Sequence, residues 1–286
     1  MYAKKQNSEP FKQSVMKTLL VPTDFSDISE NAVNYAADLS KFLDARLVLL
    51  NTYSLPMPLV ETPVANIQFE EINRANKEQL KALDKRLKAG GDDLRTELIT
   101  AIGFSIEEIL LYSETTKADI VVLGVQGAKS SSTDGSNTIS VAQESKCPVL
   151  MVPEGVKFKK PARIALACDY SSIVPDDVVQ KFIDFINVFN AKVLVFDVLK
   201  KAELVTYEKA MVEENLEESL HDIEHTLHFP TGDNLVEEIN AFVDRHLVDL
   251  LVMMPHKYNF LQGLFHRSNT KQMALHSHIP LLAIHE

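Results

Sequence analysis

The chain has 286 residues, with 29 Lys and Arg against 40 Asp and Glu and a net charge of −11. That acidity argues against a non-specific nucleic-acid binder, which needs a basic face to displace counterions, and a composition of 45% hydrophobic and 24% charged residues argues against disorder. No apolar run approaches the roughly 18 residues of a membrane-spanning helix. Met1 to Gln13 holds no signal-peptide core, and Cys147 and Cys168 alone make neither a disulfide framework nor a four-ligand zinc site. A cytoplasmic protein of two domains is the expectation.

In chain order, residues 1–15 precede any apolar run and are expected to form a mobile extension. Thr18-Leu-Leu-Val-Pro-Thr-Asp24 reads as a short strand ending at an aspartate. A helix follows, with Val33, Ala36, Leu39 and Leu43 on one face and Asp27 with Glu30 as its capping box. Leu47 to Leu50 is the second strand, and after a helical or irregular insert Thr96 to Thr100 is the third. Ile120 to Leu123 is continuously apolar, as a strand buried on both faces must be. A glycine-containing loop leads into a helix starting near Ser136, and Cys147-Pro148-Val149 opens the last strand of this half. Residues 154–161, with Gly155, Pro161 and several lysines, form the natural linker.

The second half repeats the first. Arg163 to Asp169 is again a strand running to an aspartate, Pro175 opens a helix reaching Phe189, and Val193 to Phe196 is the next strand. Lys117-Ala-Asp119-Ile-Val-Val-Leu is answered by Leu247-Val-Asp249-Leu-Leu-Val-Met. Ser136-Asn137-Thr138 is answered by Ser268-Asn269-Thr270, and Cys147-Pro148 by Ile279-Pro280. The expected domains are therefore 16–153 and 162–286. Strand–helix alternation gives an α/β fold of two tandem, doubly wound, open parallel-sheet domains, with five main strands each.

Glycine is scarce, nine in all, yet Gly124, Gly127 and Gly135 fall within twelve residues. Open parallel sheets bind ligands beyond the carboxyl ends of their strands, where Asp24 and this loop meet. Glycines allow close approach of backbone to an anion. A helix start at Gly135 and Ser136 aims free N–H groups at a phosphate, with Lys129 as a further donor. Ionised Asp24 only accepts hydrogen bonds, which suits an amino group or a ribose hydroxyl. A simple tight turn is the plainer reading of the same glycines. Neither a P-loop nor G-x-G-x-x-G is present, because Leu123 stands where the first P-loop glycine belongs and Val125 and Gln126 separate the first glycine pair.

Val21-Pro22-Thr23-Asp24, the Gly124, Gly127, Gly135-Ser136 series and Cys147-Pro148-Val149 resemble the elements of the universal stress protein family, and both halves share the likeness. The resemblance implies Rossmann-like domains of the adenine nucleotide alpha hydrolase type and a role in stress response. By analogy with ATP-binding members, it implies that Pro22, Asp24 and Thr52 hold adenosine, and that Gly124, Gly127, Gly135 and Ser136 hold phosphate. The ligand expected is ATP or AMP; seven residues, Asp134 among them, separate Gly127 from Gly135, two fewer than the family's usual nine, which leaves open AMP or ADP as well as ATP, or no nucleotide at all. In the second half, Met254, Lys257 and Arg267 stand at the glycine positions, so that half is expected to bind no nucleotide. Dimerisation through last strands, common in the family, implies that Val149–Val152 and Leu281–His285 lie together within this chain.

No nucleophile, base or metal set converges on the phosphate position, so a binding protein is expected rather than an enzyme. The rival is a scaffold that binds no nucleotide. All nine histidines follow residue 220, and His221, His225 and His228 have helical metal-site spacing. The repeat instead places His225 to His228 on a strand, with His225 and His228 on opposite faces. Cys147 is expected to be a buried apolar residue. Phe260, Leu261, Leu264 and Phe265, among Lys257, Arg267 and Lys271, read as a short apolar helix that covers its own domain or docks another chain. Homo-oligomers through sheet edges or this loop are expected, with no nucleic-acid or membrane partner.

Overall fold

Residues 16–54, 63–90, 93–125, 135–168, 175–199, 220–221, 223–254 and 277–284 are described by the computed structural model. The expected N-terminal extension and the stretch from His256 to Lys271 lie outside them. In the first half the elements are β1 (Thr18–Pro22), α1 (Asp27–Leu43), β2 (Arg46–Tyr53), α2 (Pro63–Leu87), β3 (Thr96–Ile102), α3 (Ser105–Thr115), β4 (Ile120–Val125), α4 (Gly135–Glu144) and β5 (Val149–Pro153). The second half has β6 (Arg163–Ala167), α5 (Asp176–Asn187), β7 (Lys192–Phe196), β8 (His225–His228), α6 (Leu235–His246), β9 (Leu250–Met253) and β10 (Leu281–Ala283).

These strands form one sheet in the order β3-β2-β1-β4-β5-β10-β9-β6-β7-β8. Read outward from the centre, each half has the same doubly wound order. Pairing is parallel throughout except at the centre, where β5 and β10 run antiparallel with Met151 opposite Leu281 and Val149 opposite Ala283. The two last strands thus meet as the resemblance implied, and they fuse the two sheets into one.

Alternation along each strand builds two cores. Leu19, Val21, Leu47 and Leu49 join α1, α2 and α5 on one face. Leu20, Val48 and Leu50 join α3, α4 and α6 on the other. Each fully buried Leu or Val contributes about 1.5–3 kcal/mol of transfer free energy. Aromatic rings strengthen the junction between halves. Phe42 on α1 stacks on Phe189 after α5 at 5.5 Å between centroids, and Phe158 packs edge-on against Tyr35 at 5.4 Å.

Both halves start their sheets with the same device. Asp119 Oδ2 accepts the N–H groups of Lys17 and Thr18 at 2.7 and 2.9 Å, and Asp249 Oδ2 accepts those of Ala162 and Arg163 at 2.8 and 2.9 Å. Helix α1 departs from expectation by one residue: its N-cap is Ser26, whose Oγ accepts the N–H of Ser29 at 3.3 Å. Asp27 is the first helical residue, so the Asp27–Glu30 box does not form. Aspartate there still favours the positive end of the helix.

Candidate functional site

A cleft of about 520 Å³ opens at the carboxyl ends of β1, β2 and β4, where the strand order of the first half reverses. Pro22, Thr23, Asp24, Thr52, Gly124, Thr138 and Glu154 are among its lining residues. Four of the eight residues singled out from the sequence, Pro22, Asp24, Thr52 and Gly124, therefore come together there. Gly135 and Ser136 are the first two residues of α4, as a helix start at the cleft requires. Gly127 and Lys129 lie outside the described residues.

The floor is held from below. Thr23 N–H donates to Leu50 O at 2.8 Å, and Asn51 Nδ2 donates to Thr23 O at 2.8 Å. Asn51 is 3% exposed, so this tether is shielded from water. Sequence reasoning missed it. Its signal was a lone amide directly after the apolar run Leu47 to Leu50, since a buried amide needs partners; here Nδ2 has one, while the buried Oδ1 has none among the described residues.

From Thr23 the chain turns sharply into α1. Asp24 Oδ1 accepts the N–H of Ser26 at 3.0 Å, and Phe25 N–H donates to Thr23 Oγ1 at 3.1 Å. Phe25 sits at φ 64°, a left-handed conformation costing about 1–2 kcal/mol for a residue with a Cβ. The Asx turn and the Ser26 cap offset that cost. Partial burial would raise the pKa of Asp24, but hydrogen bonds from Ser26 and Ser29 outweigh it and hold the carboxyl below its usual range. Asp24 is anionic at neutral pH and offers acceptors to a ligand's N–H or O–H groups.

Thr52 Oγ1 donates to Ser105 Oγ at 3.0 Å, linking the end of β2 to the first residue of α3. Gly124 lies between two helix starts. A Cβ there would stand 2.5 Å from Ile28 O in the first turn of α1, and Thr138 Oγ1 of α4 donates to Gly124 O at 3.3 Å. The first glycine of the series thus has a packing reason: only a bare Cα lets α1 lie this close to β4.

The second half differs at this point. Met254, directly after β9, occupies the place that Gly124 has at the end of β4, and it is 6% exposed within the core. Asp169, Lys257 and Arg267 lie outside the described residues. The strand assignment of His225 to His228 holds, with β8 paired to β7 as β3 is to β2. His228 Nε2 bonds Thr226 Oγ1 at 2.9 Å, while its ring contacts His246 at 4.8 Å and Phe242 at 5.2 Å. Among the described residues no group of three His, Cys, Asp or Glu side chains could hold a metal ion. Cys147 is half-buried rather than fully buried as expected, and desolvation still pushes its thiol pKa up despite hydrogen bonds with Ser145 and Ser113. No described helix is long and apolar enough to cross a membrane.

A family model described as the universal stress protein family matches residues 16–153 and again 162–285. A universal stress protein of Methanocaldococcus jannaschii is 28% identical over 150 residues, covering 51% of this chain and 86% of that protein. One from Bacillus subtilis is 33% identical over 144 residues, covering 47% of this chain and 97% of that protein. The crystal structure of a universal stress protein from Archaeoglobus fulgidus has a TM-score of 0.70 to this chain at 17% identity. The likeness spans 94% of this chain and 96% of that one, and it is a likeness of fold.

Proposed function

The chain belongs to the universal stress protein family as a tandem of two such domains, and from that premise we propose that it is a stress-response protein whose first half binds an adenine nucleotide, ATP or AMP. One observation carries the reading: the strand-end cleft is lined by Pro22, Asp24, Thr52 and Gly124, the residues that the family resemblance selects for the ligand. Asp24 accepts from the adenine amino group or a ribose hydroxyl. The first turn of α4, at Gly135 and Ser136, receives a phosphate, with Gly127 and Lys129 assigned to the same end. Binding rather than turnover is the activity that this reading assigns to the cleft.

The second half holds no nucleotide in this manner, since Met254 fills the place of the first glycine. It serves as the built-in partner of the first half. With β5 and β10 paired to each other, further copies associate through the outer strands β3 and β8 or through residues 255–276.

A second reading is a scaffold without ligand. It is favoured by the structural work that Asp24 and Gly124 already do, in the turn before α1 and in its packing. Identification of nucleotide released from the purified protein by mass spectrometry, followed by calorimetry, separates the two. Asp24→Ala is expected to weaken adenine-nucleotide binding by about 1–3 kcal/mol, the cost of a lost hydrogen bond to a charged acceptor. If no adenine nucleotide binds the wild-type chain at millimolar concentration, the scaffold reading stands.

A further inference from the structure

Every charged side chain among the described residues lining the cleft is acidic: Asp24, Asp27 and Glu154. Two of them already occupy the positive end of α1, where Asp27 is the first helical residue and Asp24 caps the preceding turn, with Glu30 one position beyond Ser29. The first turn of α4, by contrast, carries no acidic residue. Helix α3 also starts at the cleft, at Ser105, but its first turn carries Glu107 and Glu108, so of the three helix starts only that of α4 has a first turn free of acidic residues.

Glu154 lines the cleft at the end of β4, from which the chain leads on to α4. The Glu154 N–H donates to Val125 O at 3.1 Å, at the carboxyl end of β4 where the glycine series departs. The turn that carries it is built rather than loose. Val156 N–H closes onto Pro153 O at 3.2 Å, and Gly155 supplies φ 77°. Asn31 on α1 then donates its Nδ2 to both Pro153 O and Val156 O, at 3.0 and 3.3 Å. Helix, strand end and turn hold this glutamate at the cleft, in the segment that also leads to the second half.

We infer that Glu154 is a specificity-determining residue that makes the cleft select a nucleoside monophosphate over a di- or triphosphate. This deepens the nucleotide reading and rests on it. A first phosphate is accepted at the start of α4. Each further phosphate adds negative charge to a cleft whose described charged side chains are all acidic, and the 126–134 sequence adds no net positive charge, its one lysine, Lys129, being matched by Asp134. Like charges about 4 Å apart differ from unlike or neutral pairs by roughly fivefold or more in binding even in high dielectric, and salt or a bound divalent cation reduces the effect.

The test is calorimetry of the full chain with AMP and with ATP, in EDTA and again with excess Mg²⁺, for the wild type and Glu154→Gln. Glu154 is exposed and the glutamine is isosteric, so the backbone turn is retained. The wild type is expected to bind AMP about tenfold or more tighter than ATP in EDTA. Mg²⁺ should narrow that gap, and Glu154→Gln should raise ATP affinity by about threefold or more relative to AMP. ATP binding as tightly as AMP in EDTA overturns the inference while leaving the nucleotide reading in place, as does a gap that Glu154→Gln does not move. Failure of both nucleotides to bind the wild type removes the nucleotide reading itself, and this one with it.

Discussion

Replacing Gly124 by alanine separates a glycine needed for packing from one needed only for a turn. The added Cβ would stand 2.5 Å from Ile28 O, 2.8 Å from Ile28 Cγ2 and 3.0 Å from Ile28 C. Comfortable carbon contacts begin near 3.5 Å, so the first turn of α1 must retreat by something like 1 Å. Because the obstacle is backbone, no rotamer change relieves it. The cost belongs at the upper end of the 1–3 kcal/mol typical of overpacking, or a melting-point drop of roughly 5–10 °C for a domain of this size. Gly103→Ala is the internal control. The three atoms nearest its Cβ all belong to the flexible Glu108 side chain, which can swing away, and none is backbone. Gly103 is not in a left-handed conformation either, so alanine also gains about 0.4–1 kcal/mol from a less disordered unfolded chain. Gly103→Ala should melt at or slightly above wild type. Gly124→Ala should melt well below it and should also lose ligand affinity, because the Asp24 turn moves with α1. Melts followed by circular dichroism decide the matter: a Gly124→Ala protein within about 2 °C of wild type refutes the packing account.

Two further predictions concern the joint and the histidines. Proteolytic cutting between Gly155 and Phe158 should leave the halves co-eluting in size exclusion, because β5–β10 pairing and the Phe42–Phe189 stack do not depend on the connection; two separately migrating halves would contradict this. Burial lowers the pKa of His228 and of His246, and the neighbouring positive charges of His246 and Lys192 on the first, and of Arg245 and Arg163 on the second, lower them further. The unfolded chain then binds more protons than the folded one, so stability is full above the unfolded value of about 6.5 and falls as pH drops through it. Denaturant midpoints between pH 7.5 and 5.5 should show that slope, and His246→Gln should flatten it. A variant profile parallel to wild type would refute the assignment.

What the sequence disclosed was whatever local pattern controls. Apolar runs marked the strands, and the repeat of Asp119 and Asp249 before β4 and β9 marked the two copies, down to the strand character of His225 to His228. The cap of α1 was misplaced because Asp27 and Ser26 are both good N-caps. The choice between them is made by tertiary placement of the Thr23–Phe25 turn, not by propensity. Gly124 was legible as a ligand glycine but not as a packing glycine, since its obstacle, Ile28, comes from another element. Glu154 and Asn31 went unread for the same reason: the hydrogen bonds that bring them together join residues more than a hundred positions apart.

A comparison of the two halves along the strand direction bears on why only one is assigned a ligand. At the amino ends of the strands they are near copies. Asp119 and Asp249 clamp the start of β1 and β6. Lys117 and Leu247 take the same left-handed conformation at φ 52° and 51°, as do Asp44 and Asn190 at 51° and 50°. Ser145 and Ser277 each donate to the carbonyl two residues on, at 2.9 and 2.7 Å, ahead of β5 and β10. None of these positions touches the cleft, and all of them set helix ends and strand registers that any copy of the fold needs. At the carboxyl end the correspondence fails at Gly124 and Met254, where one half has a bare backbone between two helices and the other a buried side chain. Stability alone would not separate the two ends in this way, because a methionine packs at the end of β9 at no evident expense to that core. A ligand requirement would, since in open parallel sheets only the carboxyl end is asked to leave room. The asymmetry therefore favours one retained site over two lost ones.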